Sequence, residues 1–152
     1  MKNIDIEIAK INEVEEASIL ACNTYLEFNS KVDTKEGREN VLKFMSIDNM
    51  RIRYLLDDNL LLIAKENNKI IGIIEIIRKN HISSFFIDKD YIKKGIGKRL
   101  FEKAHNILQN NVYTVNSSIY AFEFYKKLGF IPTVENIKIE YGVHFYSMIL
   151  YI

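Results

Sequence analysis

The sequence predicts an α+β fold with a mixed, mostly antiparallel central sheet flanked by helices. Three observations predict it. Apolar periodicity along the chain changes between the strand and helix repeats in the order βααβββαβαββ. The β-rich runs Leu60–Lys65 and Ile70–Arg78 are separated by Glu66-Asn67-Asn68-Lys69, an Asn-rich turn that reads as a hairpin. The strands at 82–87 and 112–115 are split by a helix, which makes them parallel neighbours.

Each element has its own local warrant. Ile4, Ile6 and Ile8 alternate with polar residues over 3–8, the pattern of a half-buried strand. Over 13–29, Val14, Ala17, Leu20, Ala21, Tyr25 and Phe28 recur at helical spacing. A second helix is expected over 34–47, with Thr34 as its N-cap and Val41, Leu42, Phe44 and Met45 as its stripe. After the hairpin and the strand at 82–87, an amphipathic helix runs from about Gly95 to Gln109, with Ile96, Leu100, Ala104, Ile107 and Leu108 inward. The strand 112–115 is followed by a helix over 118–128, closed by Gly129, with Lys126 and Lys127 in the last turn where the dipole favours cations. Two strands, 131–140 and 143–151, meet at Tyr141-Gly142.

Composition narrows the function classes. At 152 residues a single domain spanning 1–152 is expected. Surface scaling gives a folded area of about 8,000 Å² against about 26,000 Å² unfolded, enough for a core without staples. Twenty-one Lys and Arg against twenty Asp and Glu leave no overall basic field of the kind that drives nucleic-acid binding. One cysteine, Cys22, cannot form an intrachain disulfide and fits a reducing compartment. The longest apolar runs, such as Leu60 to Ala64, fall far short of the roughly 20 residues that span a bilayer. The expectation is a cytoplasmic protein with neither a nucleic acid nor a membrane as partner.

The segment Ile92-Lys93-Lys94-Gly95-Ile96-Gly97-Lys98-Arg99 joins a strand to a helix. Glycines at a helix mouth let a ligand approach the backbone, and the free N–H groups of the first turn point at an anion. Four basic side chains add charge around it. A Walker loop is excluded, since Gly97-Lys98 is followed by Arg99 and no suitable glycine precedes it. A Rossmann fingerprint is excluded because Leu100 stands where the third glycine belongs. Two readings stay open: a Gly-x-Gly cradle for a pyrophosphate, and a tight turn with solvated lysines. Further on, Asn116, Ser117 and Ser118 are capping candidates, and Tyr125 shares an apolar side with Ala121, Phe124 and Leu128, as a packed core aromatic would.

Taken together, Gly95-Ile96-Gly97, then Asn116, then Phe124-Tyr125-Lys126-Lys127-Leu128-Gly129-Phe130 resemble the GNAT superfamily of N-acetyltransferases, and the element order is similar over essentially the whole chain. His81-Ile82-Ser83 and Gly142-Val143-His144-Phe145-Tyr146-Ser147-Met148 resemble segments of its small bacterial members. The resemblance implies acetyl-coenzyme A as co-substrate, with no metal, in a cleft where the strands at 82–87 and 112–115 splay apart. It implies backbone N–H groups around Phe86 and Ile87 on the acetyl carbonyl and pantetheine arm. It assigns Ile92, Lys93, Lys94, Gly95, Ile96, Gly97 and Lys98 to the pyrophosphate, Asn116 to the pantetheine, and Tyr125 to the neighbourhood of the sulfur. Ile92 departs from the Gln or Arg usual at the start of this loop, and Lys93 stands where a glycine is frequent. The family occurs as monomers and homodimers.

Transfer of acetyl from a thioester to an amine needs a neutral amine, a stabilised oxyanion and a proton for the thiolate. A phenol titrates near about 10, close to an alkyl thiol, so Tyr125 is the candidate acid. The Ile87 N–H would serve the oxyanion. Glu75, set in the apolar run Ile70–Ile77, is the candidate base, with a paired structural acid as the alternative. His81 and His144 are candidate substrate-site residues, whereas His105 falls on the polar face of its helix and is expected to be exposed. Cys22 and three scattered histidines give no metal-ligand spacing. Glu27, Asp33, Glu36 and Glu39 could draw a cationic acceptor, but a solvated face is the simpler reading. The function expected is acetyl-coenzyme A-dependent acetylation of a primary amine by direct attack. A non-catalytic acyl-coenzyme A sensor is the rival, motivated by Ile92.

Overall fold

The computed structural model describes residues 3–152; Met1 and Lys2, where the expected domain begins, lie outside them. The strands are β1 (Asp5–Ile8), β2 (Leu60–Glu66), β3 (Lys69–Ile77), β4 (His81–Ile87), β5 (Val112–Ser117), β6 (Ile131–Pro132), β7 (Lys138–Glu140) and β8 (Val143–Tyr151). The helices are α1 (Val14–Thr24), α2 (Lys35–Phe44), α3 (Ile47–Tyr54), α4 (Ile96–Leu108) and α5 (Phe122–Leu128). The sheet order is β1-β2-β3-β4-β5-β8-β6, with β7 also on β8. Every pairing is antiparallel except β4 with β5, as the helix between them requires.

Turn chemistry sets the registers. Asn67 and Asn68 both have positive φ, at 51° and 65°, and close β2 onto β3 with Glu66 opposite Lys69. Tyr141 and Gly142 do the same for β7 and β8, at 48° and 80°. The near-continuous apolar run of β3, interrupted by Glu75, reflects cover on both faces. Ile71, Ile74 and Ile76 pack with Leu100, Ala104 and Tyr125 from α4 and α5, while Ile70 and Ile73 pack with Val14, Ala17 and Ala21 from α1.

Several boundaries differ from expectation. The helix expected over 13–29 is α1 followed by a wider π turn, Tyr25–Asn29, a geometry that re-aims side chains at its end. α3 was not foreseen: only Met50 of its residues is buried, so it lacks an apolar stripe, and its start rests on Ser46, whose hydroxyl accepts the Asn49 N–H at 3.3 Å. Thr34 does cap α2, accepting the Gly37 N–H at 3.1 Å. The strand expected over 131–140 is two short pieces, β6 and β7, with 133–137 outside the sheet. α5 begins at Phe122 because 118–121 form a turn, with Ser118 Oγ accepting the Ala121 N–H at 3.1 Å. Within α4, Phe101 is buried and Ile107 is exposed, one step off the expected stripe. His105 is half-buried rather than exposed, its Nδ1 lying 2.9 Å from the Tyr113 hydroxyl.

Candidate active site

β4 and β5 pair only at His81 with Thr114 and Ile82 with Val115, then diverge. A bulge marks the point of divergence. Glu75 faces Ser84 while Ile76 faces Ile82, so Ser83 is the extra residue, and an extra residue bends its strand. Beyond it the backbone alternates. The Asp88 N–H donates to the Ile71 carbonyl at 2.8 Å, so Phe86, two residues back, also bonds toward β3. Phe85 and Ile87 therefore turn their N–H groups into the opening. Ile87 points its N–H into the opening, whereas Phe86 has its donor on β3 and lines the cavity. On the other wall, Thr114 donates to the Asn80 carbonyl at 2.9 Å, so the same alternation aims the Asn116 backbone at the opening.

The loop after β4 leads to the mouth of α4. Asp88 accepts the Asp90 N–H at 2.9 Å and starts a short turn over Lys89–Tyr91, followed by Ile92, Lys93 and Lys94. Gly95 has φ of 80° with nothing near its would-be side chain, so the backbone here is open to approach. Arg99 is the first residue of α4 to bond back, donating to the Gly95 carbonyl at 3.1 Å. The N–H groups of Ile96, Gly97 and Lys98 are left without helical partners. Lys93 takes φ of 60°, a left-handed position that glycine fills more cheaply. Lys93, Lys94 and Lys98 are exposed, and Ile92 is partly so. Two details depart from a uniform cationic cradle. Arg99 reaches away to donate to the Ile4 carbonyl at 3.0 Å. Gly97 is small because a side chain would meet the Phe124 ring at 2.8 Å, a packing reason rather than a ligand one.

A cavity of about 610 Å³ opens beside the splay. Ile82 to Phe86, Val115, Asn116 and Tyr125 line one side; Tyr25, Asp33, Phe44 and His144 line the other. Tyr125 is held by the rings of Phe85, Phe124 and Phe130, with centroids 6.0, 5.5 and 5.4 Å away. Its hydroxyl has no hydrogen-bond partner among the described residues, and burial pushes the phenol well above its ordinary value. Tyr125 therefore keeps its proton in the resting site.

Glu75 lies beneath this cavity rather than in it. Its carboxylate accepts from Arg53 Nε at 2.9 Å and Nη2 at 3.2 Å, and from the hydroxyls of Ser83 at 2.7 Å and Ser84 at 3.4 Å. A carboxylate with its acceptor sites filled by a guanidinium and two hydroxyls is a paired structural acid. The expectation of a base is corrected accordingly, and Glu75 instead ties down the Ser83 bulge that opens the cleft. His81 is corrected as well. It sits where β4 and β5 are still paired, with Nδ1 2.8 Å from Thr114 Oγ1, and it does not line the cavity. Burial, then the nearby Arg78 charge, holds its imidazole below the ordinary value.

His144 does reach the cavity, and with it come two residues the sequence did not single out for the site. Asp33, expected on a solvated face with Glu27, Glu36 and Glu39, is buried, whereas those three are exposed. It accepts the Tyr25 hydroxyl at 2.5 Å and the His144 backbone N–H at 2.8 Å. The contact spans 111 residues of sequence, so nothing local announces it. The β7–β8 turn docks on α2 through the Thr34 N–H to the Gly142 carbonyl, 3.0 Å. A side chain on Gly37 would overlap that carbonyl and approach the Val143 nitrogen to 3.0 Å. Gly37→Ala is expected to cost about 1–3 kcal/mol, read as a lowered urea midpoint, by displacing the turn that carries His144.

Among the described residues, no group of three or more His, Cys, Asp or Glu is placed to hold a metal ion, and no helix is long and apolar enough to cross a membrane. The family model described as an acetyltransferase (GNAT) domain matches residues 29–152. The fold is similar to that of the PaiA N-acetyltransferase from Thermoplasma acidophilum, solved in complex with coenzyme A, with a TM-score of 0.81 at 21% identity over 99% of both chains. It is similar to a GCN5-related N-acetyltransferase from Rhodopseudomonas palustris, TM-score 0.80, 18% identity, covering 100% of this chain and 98% of that one. The ribosomal-protein-S18-alanine N-acetyltransferase from Escherichia coli aligns with a TM-score of 0.69 at 16% identity, over 99% of this chain and 94% of that one. With the splayed β4–β5 pair and the open helix mouth in place, the match over most of the chain settles the family: the protein belongs to the GNAT acetyltransferases and is an acyltransferase with acetyl-coenzyme A as its co-substrate.

Proposed function

We propose that the protein acetylates a primary amine by direct attack inside the 610 Å³ cavity, within the cytoplasm. One observation carries the choice of acceptor. Among the described residues, Asp33 and Glu140 are the only Asp, Glu, Lys or Arg residues lining the cavity, so its fixed charge is negative and favours an entering ammonium. The Lys-bearing loop lies at the other end of the cleft, which separates the phosphate-holding region from the acceptor region.

The residues present fit the co-substrate. The N–H groups of Ile96, Gly97 and Lys98, with Lys93, Lys94 and Lys98 around them and the open approach at Gly95, would hold the pyrophosphate. Asn116 would meet the pantetheine arm. Phe85 and Ile87 would offer N–H donors to the acetyl oxygen, where negative charge develops. When bound, acetyl-coenzyme A supplies the electrophilic thioester carbon and a thiolate leaving group. The Tyr125 hydroxyl, free of protein partners and fixed by three rings, would donate to the departing sulfur.

The test is incubation with acetyl-coenzyme A and a panel of diamines, aromatic amines and peptides with free N-termini, following free thiol and acetylated product together. One thiol released per amide formed is expected with at least one amine. Tight coenzyme A binding with no turnover on any amine would instead identify a sensor.

A further inference from the structure

Acetyl transfer to an amine needs a group that takes the amine's proton, and Glu75 is too fully engaged to be that group. The cavity lining offers few others. Asp33 is buried and accepts from Tyr25 and from the His144 backbone. Glu140 lines the cavity from an exposed position with no residue shown to hold its carboxylate in place. Burial, then the Asp33 carboxylate to which it donates, pushes the Tyr25 phenol well up, so it keeps its proton. Tyr125 is needed as a donor.

We propose that His144 accepts the proton of the acceptor amine through Nε2, with Asp33 as the residue that positions it and Tyr25 as the residue that fixes Asp33. This rests on the amine reading above. The geometry is specific. His144 Nδ1 is completely buried, makes no hydrogen bond, and lies 3.6 Å from Asp33 Oδ1. Two lone pairs facing each other at that range in a dry site would repel, so the proton belongs on Nδ1 and the lone pair on Nε2. Nε2 has no hydrogen-bond partner among the described residues, and the residue lines the same cavity as Tyr125. Asp33 cannot swing away, because Tyr25 holds Oδ2 at 2.5 Å while Arg38 Nη1 donates to its backbone carbonyl at 2.7 Å.

In the reaction the amine nitrogen's lone pair forms the new C–N bond, and the C–S bond breaks with its electron pair going to sulfur. The surplus N–H proton passes to Nε2. The Tyr125 hydroxyl gives the sulfur its proton, and water returns that proton from the imidazolium to the phenolate. An acceptor that enters as ammonium first gives one proton to bulk water; from the neutral amine the sum is amine plus thioester giving amide plus thiol.

His144→Gln keeps the backbone N–H that anchors Asp33, so the variant is expected to fold and to bind coenzyme A as the parent does. It should lower kcat/KM for the amine about 100-fold and erase the acidic limb of the pH profile. The titratable and charged groups around His144 are Asp33 before α2, Tyr25 from the π turn, Glu140 from β7 and Tyr125 from α5, which line the same cavity, and Arg38 from α2, which donates to the Asp33 carbonyl. Asp33→Asn should shift the limb and lower kcat more than it raises KM. Nitrogen-15 NMR of ring-labelled histidine gives a reading independent of turnover. The Nδ1–H tautomer is expected for His144, lost in Asp33→Asn, with His81 and His105 assigned by single replacement. If no amine is acetylated, the amine reading fails by that result while the tautomer still decides the role of Asp33. An Nε2–H ring, a ring indifferent to Asp33→Asn, or a His144→Gln enzyme that keeps its acidic limb overturns the proposal.

Discussion

Arg53→Met is expected to destabilise the protein by about 3–5 kcal/mol, a drop in Tm of roughly 10 °C for a chain of this size. The Arg53 and Glu75 side chains are 13% and 3% exposed, so the pair is desolvated. Removing the guanidinium leaves a carboxylate in the sheet with only two hydroxyls for company, and an uncompensated buried charge is far costlier than the pair is stabilising. Arg53 also lies 3.7 Å over the Phe44 ring and donates to the Phe44 carbonyl at 2.7 Å, so α3 loosens from the end of α2 as well. The double variant Arg53→Met with Glu75→Met is expected to recover most of the loss, since an apolar pair can replace a buried ion pair. Thermal unfolding followed by circular dichroism checks both. Glu75→Gln separates the two roles considered for this residue. The structural role predicts lowered stability with turnover per folded molecule retained, and a base would show the opposite.

Tyr125→Phe is expected to lower kcat by about 100-fold or more while leaving coenzyme A affinity nearly unchanged. The change deletes one oxygen that bonds to no protein group and leaves the ring among Phe85, Phe124 and Phe130. Stability should therefore change little, since no protein hydrogen bond is lost and the ring packing is kept. Because burial pushes the phenol up, the basic limb of the pH profile should lie above the range of a free tyrosine. Steady-state kinetics with isothermal titration of coenzyme A measures the split. An unchanged kcat would remove Tyr125 as the proton donor.

The elements that position the site were legible because local chemistry specifies them. Asn67-Asn68 and Tyr141-Gly142 dictate hairpins whatever surrounds them, and Ile96, Leu100 and Ala104 declare the inner face of α4. Gly95 marked the open helix mouth through its backbone alone. What could not be read depended on partners distant in sequence. The role of Glu75 turned on Arg53, which sits on a helix with no apolar stripe to announce it. Asp33 looked like one more surface acid, because its contact with His144 exists only once the last hairpin folds over α2. Gly97 carried the right spacing for a ligand loop, yet its small size answers to the Phe124 ring.

Backbone amide NMR during titration with coenzyme A reads directly which N–H groups the β4–β5 opening and the start of α4 leave free for the cofactor. The amides of Phe85, Ile87, Ile96, Gly97 and Lys98 are expected to shift most, while Phe86 and Asp88, already bonded toward β3, shift little. Saturable binding whose largest shifts fall away from the β4–β5 opening and the start of α4 would contradict this assignment of donors.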